Sequence, residues 1–565
     1  MSIVQKTKKL IGYEPVFAVH CPNPYDPAND LHTIKAIAHY DDNTHEPVLL
    51  KKYGFKRPFY ITKKQFQNHK EKKTYEHVDK LDRYECTQSE LPFEICKRLG
   101  KKMARPNLRE LGNSQFLYGT DILSTSLLKY KMKMRYKNIT PTKRTMAVLD
   151  TEFSIKDGVL TICGVTMNDK WFIAVNKRLV EGYSDPLKQF HKACETYIKT
   201  EMDLRGIKSV EDIEIHFCDD EWIMLEKTAA KLHELKPDLV GIWGIKADIK
   251  KFQDVAERYK RDLGSIFSDP SVPDEFKFFK FKEGRDTHVA KSTRKMTLPL
   301  DKQWHTVQCP ASFYFICLMS TYTHVRKGQS KVKMSLDACM YRHLKKTKFR
   351  FPEADNSPEN WHIVMEREFP FVYMCYNLID CVGPELLEEK TNDATVNAFT
   401  LAGFSDLEIF NSNPKILIDD LTIDFARSNN LIISSTPKER YDPFKGRTID
   451  QRCNIVTLDT SLRTREGYRG ILEMPYFNTN LYLFTFDSDV TGAYPGNQII
   501  FNLCAEATYR EVLWIEGICE QVKREQSINI AASVRNNALE VTQVICEAPT
   551  TFDMLARFRE EHNLV

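Results

Sequence analysis

Apolar and polar positions fall into short blocks along the chain, and the clearest block runs from Ala147 to Phe153. Ala147-Val148-Leu149 leads into Asp150-Thr151-Glu152-Phe153 and on to Ile155 as one predicted strand. Side chains two apart on a strand share a face, so Asp150 and Glu152 point the same way. Lys156-Asp157-Gly158 follows, and Asp-Gly between two apolar runs is a hairpin signal. Val159 to Val165 is the returning strand, and a second turn near Asn168-Asp169 leads into Trp171 to Val175. The pattern predicts a three-stranded antiparallel meander with a paired acid on its first strand.

Downstream the period changes. Ile213 to Cys218 reads as a strand, Asp219-Asp220 as a cap, and Trp222 to Leu235 as a helix with apolar residues at helical spacing. Pro237 ends that helix. Asp238 to Gly244 is a buried strand running into Ile245-Lys246-Ala247-Asp248 and another helix. Asp248 either caps this helix or reaches a site at the strand ends. Phe313 to Met319 is apolar, Lys331 to Leu344 is a basic stretch entering a helix, and Phe371 to Lys390 is a helix. On it Tyr376 and Asp380 stand four apart, on one face. Pro384, just beyond, is expected to kink or end it.

Before the meander, residues 1–145 read as an accessory α/β region. It has charged helical patches such as Lys70 to Lys80 and short strands such as Arg57 to Ile61. Lys129 to Lys137 alternates lysine and arginine with tyrosine and methionine, which predicts a strand with its cations on one face. Such a strand is either a phosphate-tracking edge or a solvated edge guarded by lysines. Past residue 390, Ile416 to Ser434 reads as a helix and a short strand, and Leu481 to Asp487 as an apolar strand.

Length and composition narrow the class. At 565 residues there is room for three or four domains, and 28% charged residues is ordinary for a soluble globular protein. The net charge of +4 is too mild to announce nucleic acid by itself. Fifteen cysteines, an odd count without a Cys-x-x-Cys pair, speak against a zinc ribbon or a disulfide framework and for a reducing compartment. No signal peptide or apolar run of membrane-spanning length is evident.

Together the pieces give Asp150, Glu152, Asp248, Tyr376 and Asp380, in that order. Converging carboxylates repel unless a cation joins them. Two divalent metals, Mg²⁺ or Mn²⁺ for an all-oxygen site, make such a set a centre for phosphodiester hydrolysis. A paired acid on the first of three antiparallel strands resembles the opening of a ribonuclease-H-like nuclease. More fully, the chain resembles the family B DNA polymerases of phage type. Leu149 to Glu152, Pro237 to Asp248 and Tyr376 to Cys381 are similar to the three motifs of their proofreading 3′→5′ exonuclease. Tyr118-Gly119-Thr120-Asp121-Ile122 resembles the lead-in to that domain, and Ser335-Leu336-Asp337 an element between the second and third motifs. The resemblance implies that Asp150 and Glu152 bind both metals, that Asp248 and Asp380 support them, and that Tyr376 orients the attacking water. Gly244 and Ala247 stand where the family has Asn and an aromatic, and the Trp243-to-Asp248 spacing is short.

Asp489-Val490-Thr491-Gly492-Ala493-Tyr494-Pro495 resembles the first motif of the polymerase palm, with Gly492 and Ala493 in place of Ser and Leu. The resemblance implies Asp489 as a metal ligand and Gly492, Ala493 and Tyr494 as the nucleotide site. Residues 496–565 hold no fingers motif, no Asp-Thr-Asp, and a single aspartate, Asp553. The expected organisation is α/β multidomain. It comprises an accessory domain over 1–145, a DEDD-type ribonuclease-H-like exonuclease over 146–390, and a linker with partial palm over 391–565. The expected function is the exonuclease-bearing N-terminal subunit of a split polymerase. Its implied partners are DNA primer-template, single-stranded 3′ ends, a second chain carrying the fingers and Asp-Thr-Asp, and a sliding clamp as a candidate; no membrane is implied. Its implied place is the cytoplasm of an infected host cell or a phage replication compartment. The rivals are a free-standing DEDD exonuclease and a DNA-binding scaffold whose nuclease has decayed. A split enzyme carries a specific expectation. Alone the chain should not extend a primed template, a complex with the second chain should, and Asp489→Ala should stop extension while sparing digestion of 3′ ends. Primer extension by the isolated chain would overturn this expectation.

Overall fold

A mixed six-stranded sheet forms the centre of the protein. The computed structural model describes residues 8–69, 72–289, 295–298, 300–326, 334–355, 360–409 and 429–436, all within the unit Met1–Glu439. Asp489, Gly492, Ala493 and Tyr494, the strand read at Leu481 to Asp487 and the helix read from Ile416 lie outside the described residues.

Numbered in chain order, the central strands are β1 (Met146–Phe153), β2 (Leu160–Met167), β3 (Lys170–Asn176), β4 (Glu214–Cys218), β5 (Leu239–Ile242) and β6 (Tyr314–Cys317). Their spatial order is β4-β3-β2-β1-β5-β6. β1, β2 and β3 form the antiparallel meander read from the sequence, and β5 and β6 join β1 in parallel. The alternation of side chains splits β1 between two cores. Ala147 and Leu149 pack with Val165, Phe172 and Val240 under α1 (Glu221–Leu235) and α2 (Ile245–Tyr259). Met146 and Val148 face the other way, against Val16, Phe17 and Val19 of an N-terminal three-stranded sheet. That second face also carries Ile162, Trp171 and Ile173 under α5 (Pro370–Thr391), which follows α3 (Leu336–Leu344) and α4 (Trp361–Glu368).

Helix ends follow the local chemistry. Asp220 caps α1 by accepting from the Ile223 N–H, and Lys236 closes it in the left-handed conformation ahead of Pro237. Three sequence expectations need correction. Lys129 to Lys137 is no strand: Ser124–Arg135 is a helix. Leu127 and Leu128 enter a core with Ile34 and Phe55, while Lys129 pairs with Asp406 at 2.7 Å. A helical period thus buries one stripe where the alternation suggested two faces. Within Lys70 to Lys80, Tyr75–His77 is a strand and not a helical patch, because Leu431–Ile433 returns to pair with it. Finally, α5 runs through Pro384 to Thr391. Proline withholds the N–H that the Asp380 carbonyl would accept, but packing outweighs that loss. Residues 370–385 of the helix are buried without a break. Gly383 lets Met340 come so close that a Cβ would meet its sulfur at 2.7 Å.

The N-terminal sheet is fastened to the central sheet by a buried cation. Lys35 Nζ donates to the carbonyls of Lys236 at 2.8 Å and Pro237 at 3.3 Å, and lies 3.6 Å from Asp238 Oδ1. Burial pulls its pKa down to about 8 against the opposing pull of Asp238. Removing one member of a buried charged set strands the others. Lys35→Met is therefore expected to destabilise the protein by about 3–5 kcal/mol in urea unfolding. A loss well under 1 kcal/mol would mean that water replaces the ammonium there.

Candidate metal centre

Asp150 and Glu152 sit at the end of β1, on the face that α5 covers. Opposite them in the β1–β2 ladder are Gly164 and Ile162, and the register slips between Glu152 and Phe153. Irregular pairing of this kind re-aims side chains beside functional sites. From α5, Asp380 reaches the same place. One oxygen each of Asp150, Glu152 and Asp380 lie within 4.8 Å of one another, a cluster that could hold a metal ion. The donor set is all oxygen, the choice of hard cations.

The fourth carboxylate read from the sequence is placed differently. Asp248 lies in the first turn of α2, whose N-cap is Gly244, so it does not cap that helix. Its Oδ1 accepts a short hydrogen bond from the Thr151 hydroxyl. Thr151 points away from Asp150 and Glu152 by the alternation of β1, so Asp248 addresses the opposite side of the strand and is not in the three-carboxylate cluster. It remains near enough to raise the Asp150 pKa by repulsion. Ala247 beside it lines an open cleft of about 690 Å³ with Phe153, Lys250 and Lys251.

Four groups not singled out in the sequence complete the surroundings. Lys348 Nζ lies 2.6 Å from Asp380 Oδ2 and donates to the Tyr376 hydroxyl at 3.1 Å. Asp337 of Ser335-Leu336-Asp337 accepts from the Lys348 backbone N–H at 2.8 Å, so that element fixes the segment carrying the cation. Burial first, then the nearby Asp380 carboxylate, pushes the Tyr376 pKa up, so its hydroxyl keeps its proton. Tyr373 donates its hydroxyl proton to Glu152 Oε2 at 2.7 Å. That proton being spent, His362 Nδ1–H is the donor in its 2.9 Å bond to the Tyr373 oxygen. Asn377 Nδ2 donates to Asp150 Oδ2 at 2.9 Å. Tyr373, Tyr376, Asn377 and Asp380 recur at helical spacing, a stripe already displayed on the helix read from Phe371.

Electrostatics follow from burial. Burial first, then Glu152, Asp380 and Asp248, pushes the Asp150 pKa well up, against the pull of Lys348. Burial takes Glu152 up to about 8, against the hydrogen bond from Tyr373. Burial likewise takes Asp248 up to about 6, opposed by Thr151, and raises Asp380, opposed by Lys348. Lys348 loses most from burial, but Asp380, Asp150 and Glu152 together outweigh that loss, so its pKa is raised and the ammonium persists. A centre in this state is short of positive charge. The chain matches no protein-family model and no curated protein.

A carboxylate with a raised folded pKa favours the fold while protonated. That stability is present below the unfolded value and lost as pH rises through the folded one. For Glu152 the window runs from 4.5 to about 8. The metal-free wild type, compared with Glu152→Gln in chelator, should lose melting temperature across that window, and Mn²⁺ should restore it most at the alkaline end. Metal binding must expel these protons, so Mn²⁺ affinity should climb with pH, by up to about tenfold per unit. Parallel melting curves for the two proteins would refute the linkage.

Proposed function

We propose that residues 146–390 form a ribonuclease-H-like 3′→5′ exonuclease acting on DNA, carried by the N-terminal chain of a split family B polymerase. The observation that carries this reading is the convergence of Asp150, Glu152 and Asp380, from a strand and a helix far apart in sequence, on one point. The strand order around β1 and the order of the motifs along the chain support it. So does the placing of Lys348 by Ser335-Leu336-Asp337.

Asp150, Glu152 and Asp380 are the residues to hold Mg²⁺ or Mn²⁺, with Asp248 on the far side of β1 as a supporting acid. Two bound ions would supply a hydroxide-like water and stabilise both oxygens of the displacement. The chain's own groups do the rest. Lys348 offsets part of the negative charge and holds Asp380 and Tyr376 in one arrangement. Tyr376 accepts from Lys348 and keeps its own proton, so the hydroxyl is held in place to orient a water. Polymerisation, the palm residues Asp489, Gly492, Ala493 and Tyr494, and the second chain belong to the same proposal. A second reading, a decayed nuclease that only binds DNA, has one observation in its favour: Asp248 faces Thr151 and not the cluster.

Digestion of a 5′-labelled single strand separates the two readings. The wild-type chain should shorten it from the 3′ end with Mg²⁺ or Mn²⁺ and not with chelator. Asp150→Ala and Asp380→Ala should each abolish this while leaving the fold intact. Tyr376→Phe should slow a single turnover by about 10–1000-fold, the worth of one placed hydroxyl. Binding without cleavage favours the decayed reading, and undiminished cleavage by Asp150→Ala/Glu152→Ala sinks the assignment.

A further inference from the structure

Asn377 is fully buried, yet its Oδ1 has no hydrogen-bond partner among the described residues. Natural cores rarely leave an amide half satisfied, and such a group calls for a reason. Its other end supplies one, since Nδ2 donates to Asp150 Oδ2 at 2.9 Å. Gly164, paired with Asp150 across the β1–β2 ladder, explains how the amide fits. A Cβ on Gly164 would overlap Asn377 Oδ1 and press on Cys381 Sγ at 3.3 Å. Its φ is not in the left-handed region, so backbone conformation does not demand glycine there. Clearance does.

We propose that Asn377 is a positioning residue for the metal centre and that Gly164 is glycine so that Asn377 can approach Asp150. The inference rests on the metal-binding reading of the cluster, not on the nature of the substrate. One Asp150 oxygen is tied to the amide, which fixes the carboxylate plane and leaves the other oxygen for an ion. Asn is suited to this where Asp is not, because it donates without adding a further negative charge. The unsatisfied Oδ1 is the cost, accepted by a core that would be better packed with a hydrocarbon.

That trade separates a positioning role from a structural one. Metal-free melting temperature and Mn²⁺ affinity by calorimetry are measured for wild type, Asn377→Leu, Asn377→Ala, Gly164→Ala and the Gly164→Ala/Asn377→Ala pair. Partners that orient a metal ligand typically account for about 10–100-fold in affinity. Asn377→Leu and Asn377→Ala should lose affinity on that scale, while Asn377→Leu melts no lower than wild type. Gly164→Ala should lose affinity as well, by displacing the amide. The pair should be close to Asn377→Ala alone, since an alanine at 377 removes the severe overlap and leaves the added methyl only its 3.3 Å approach to Cys381 Sγ. Affinity within about threefold of wild type in both Asn377 variants, well short of the orienting effect, overturns the proposal. A fall in melting temperature with affinity unchanged overturns it too. Additive losses in the pair overturn the part assigned to Gly164. A wild type that binds Mn²⁺ but does not digest DNA refutes the exonuclease and leaves these comparisons valid. A wild type that binds no Mn²⁺ refutes both.

Discussion

Two like charges 4 Å apart repel by about 4 kcal/mol at an effective dielectric of 20. Asp150, Glu152 and Asp380 place three such groups in reach of one another at a strand end closed over by a helix. Nothing in the local chain requires this. The meander and α5 would pack as well with glutamines in those positions, and better with leucines. The site is therefore a load placed on the fold, and its neighbours are arranged to bear it. Lys348 neutralises one acid, Tyr373 and Asn377 hydrogen-bond the other two, and the remaining deficit appears as raised pKa values.

The same load explains the closeness of α5 to the sheet. A helix that carries Asp380 into the cluster must be held closely in register, and small residues permit it. Gly164 clears Asn377 between the sheet and α5, and Gly383 clears Met340 between α5 and the neighbouring helix α3. Glu385, one turn beyond Asp380, accepts from Thr166 at 3.0 Å and pairs with Arg205. The turn that carries Asp380 is thus flanked by polar ties that fix its rotation as well as its depth. Pro384 survives inside such a helix because the surrounding packing, not the hydrogen-bond ladder, sets its course.

Much of this was legible in the sequence where the signal is local. The hairpin with its paired acids, the capped helix after Cys218 and the buried strand before Trp243 each rest on short-range periodicity or turn chemistry. Asp380 was legible through its spacing from Tyr376. What escaped was set by contacts between distant segments. Lys348 lies on an irregular stretch with no period, and only the fold brings it to Asp380. Asp248 was legible in the helix after the buried strand, but its bond to Thr151 was not, because which neighbour a carboxylate chooses depends on the phase of a strand about a hundred residues earlier. The lysine-rich run at 129–137 misled for a related reason. Its alternation fits a strand, and the helix is decided by Leu127 and Leu128 meeting residues near 34 and 55.

The return of Leu431–Ile433 to Tyr75–His77 bears on biogenesis. A ribosome adding about 5–20 residues per second needs roughly 20–70 s to travel from one of these strands to the other. Through that interval the edge at Tyr75–His77 stands without its natural neighbour while the whole region of the central sheet is being made. Glu76 in the middle of that edge, drawn between Lys73 and Lys80, supplies charge where an early and mistaken strand would otherwise settle. The region of the central sheet thus matures as an insertion inside an older, unfinished neighbour, and the last described strand is the clasp that closes it.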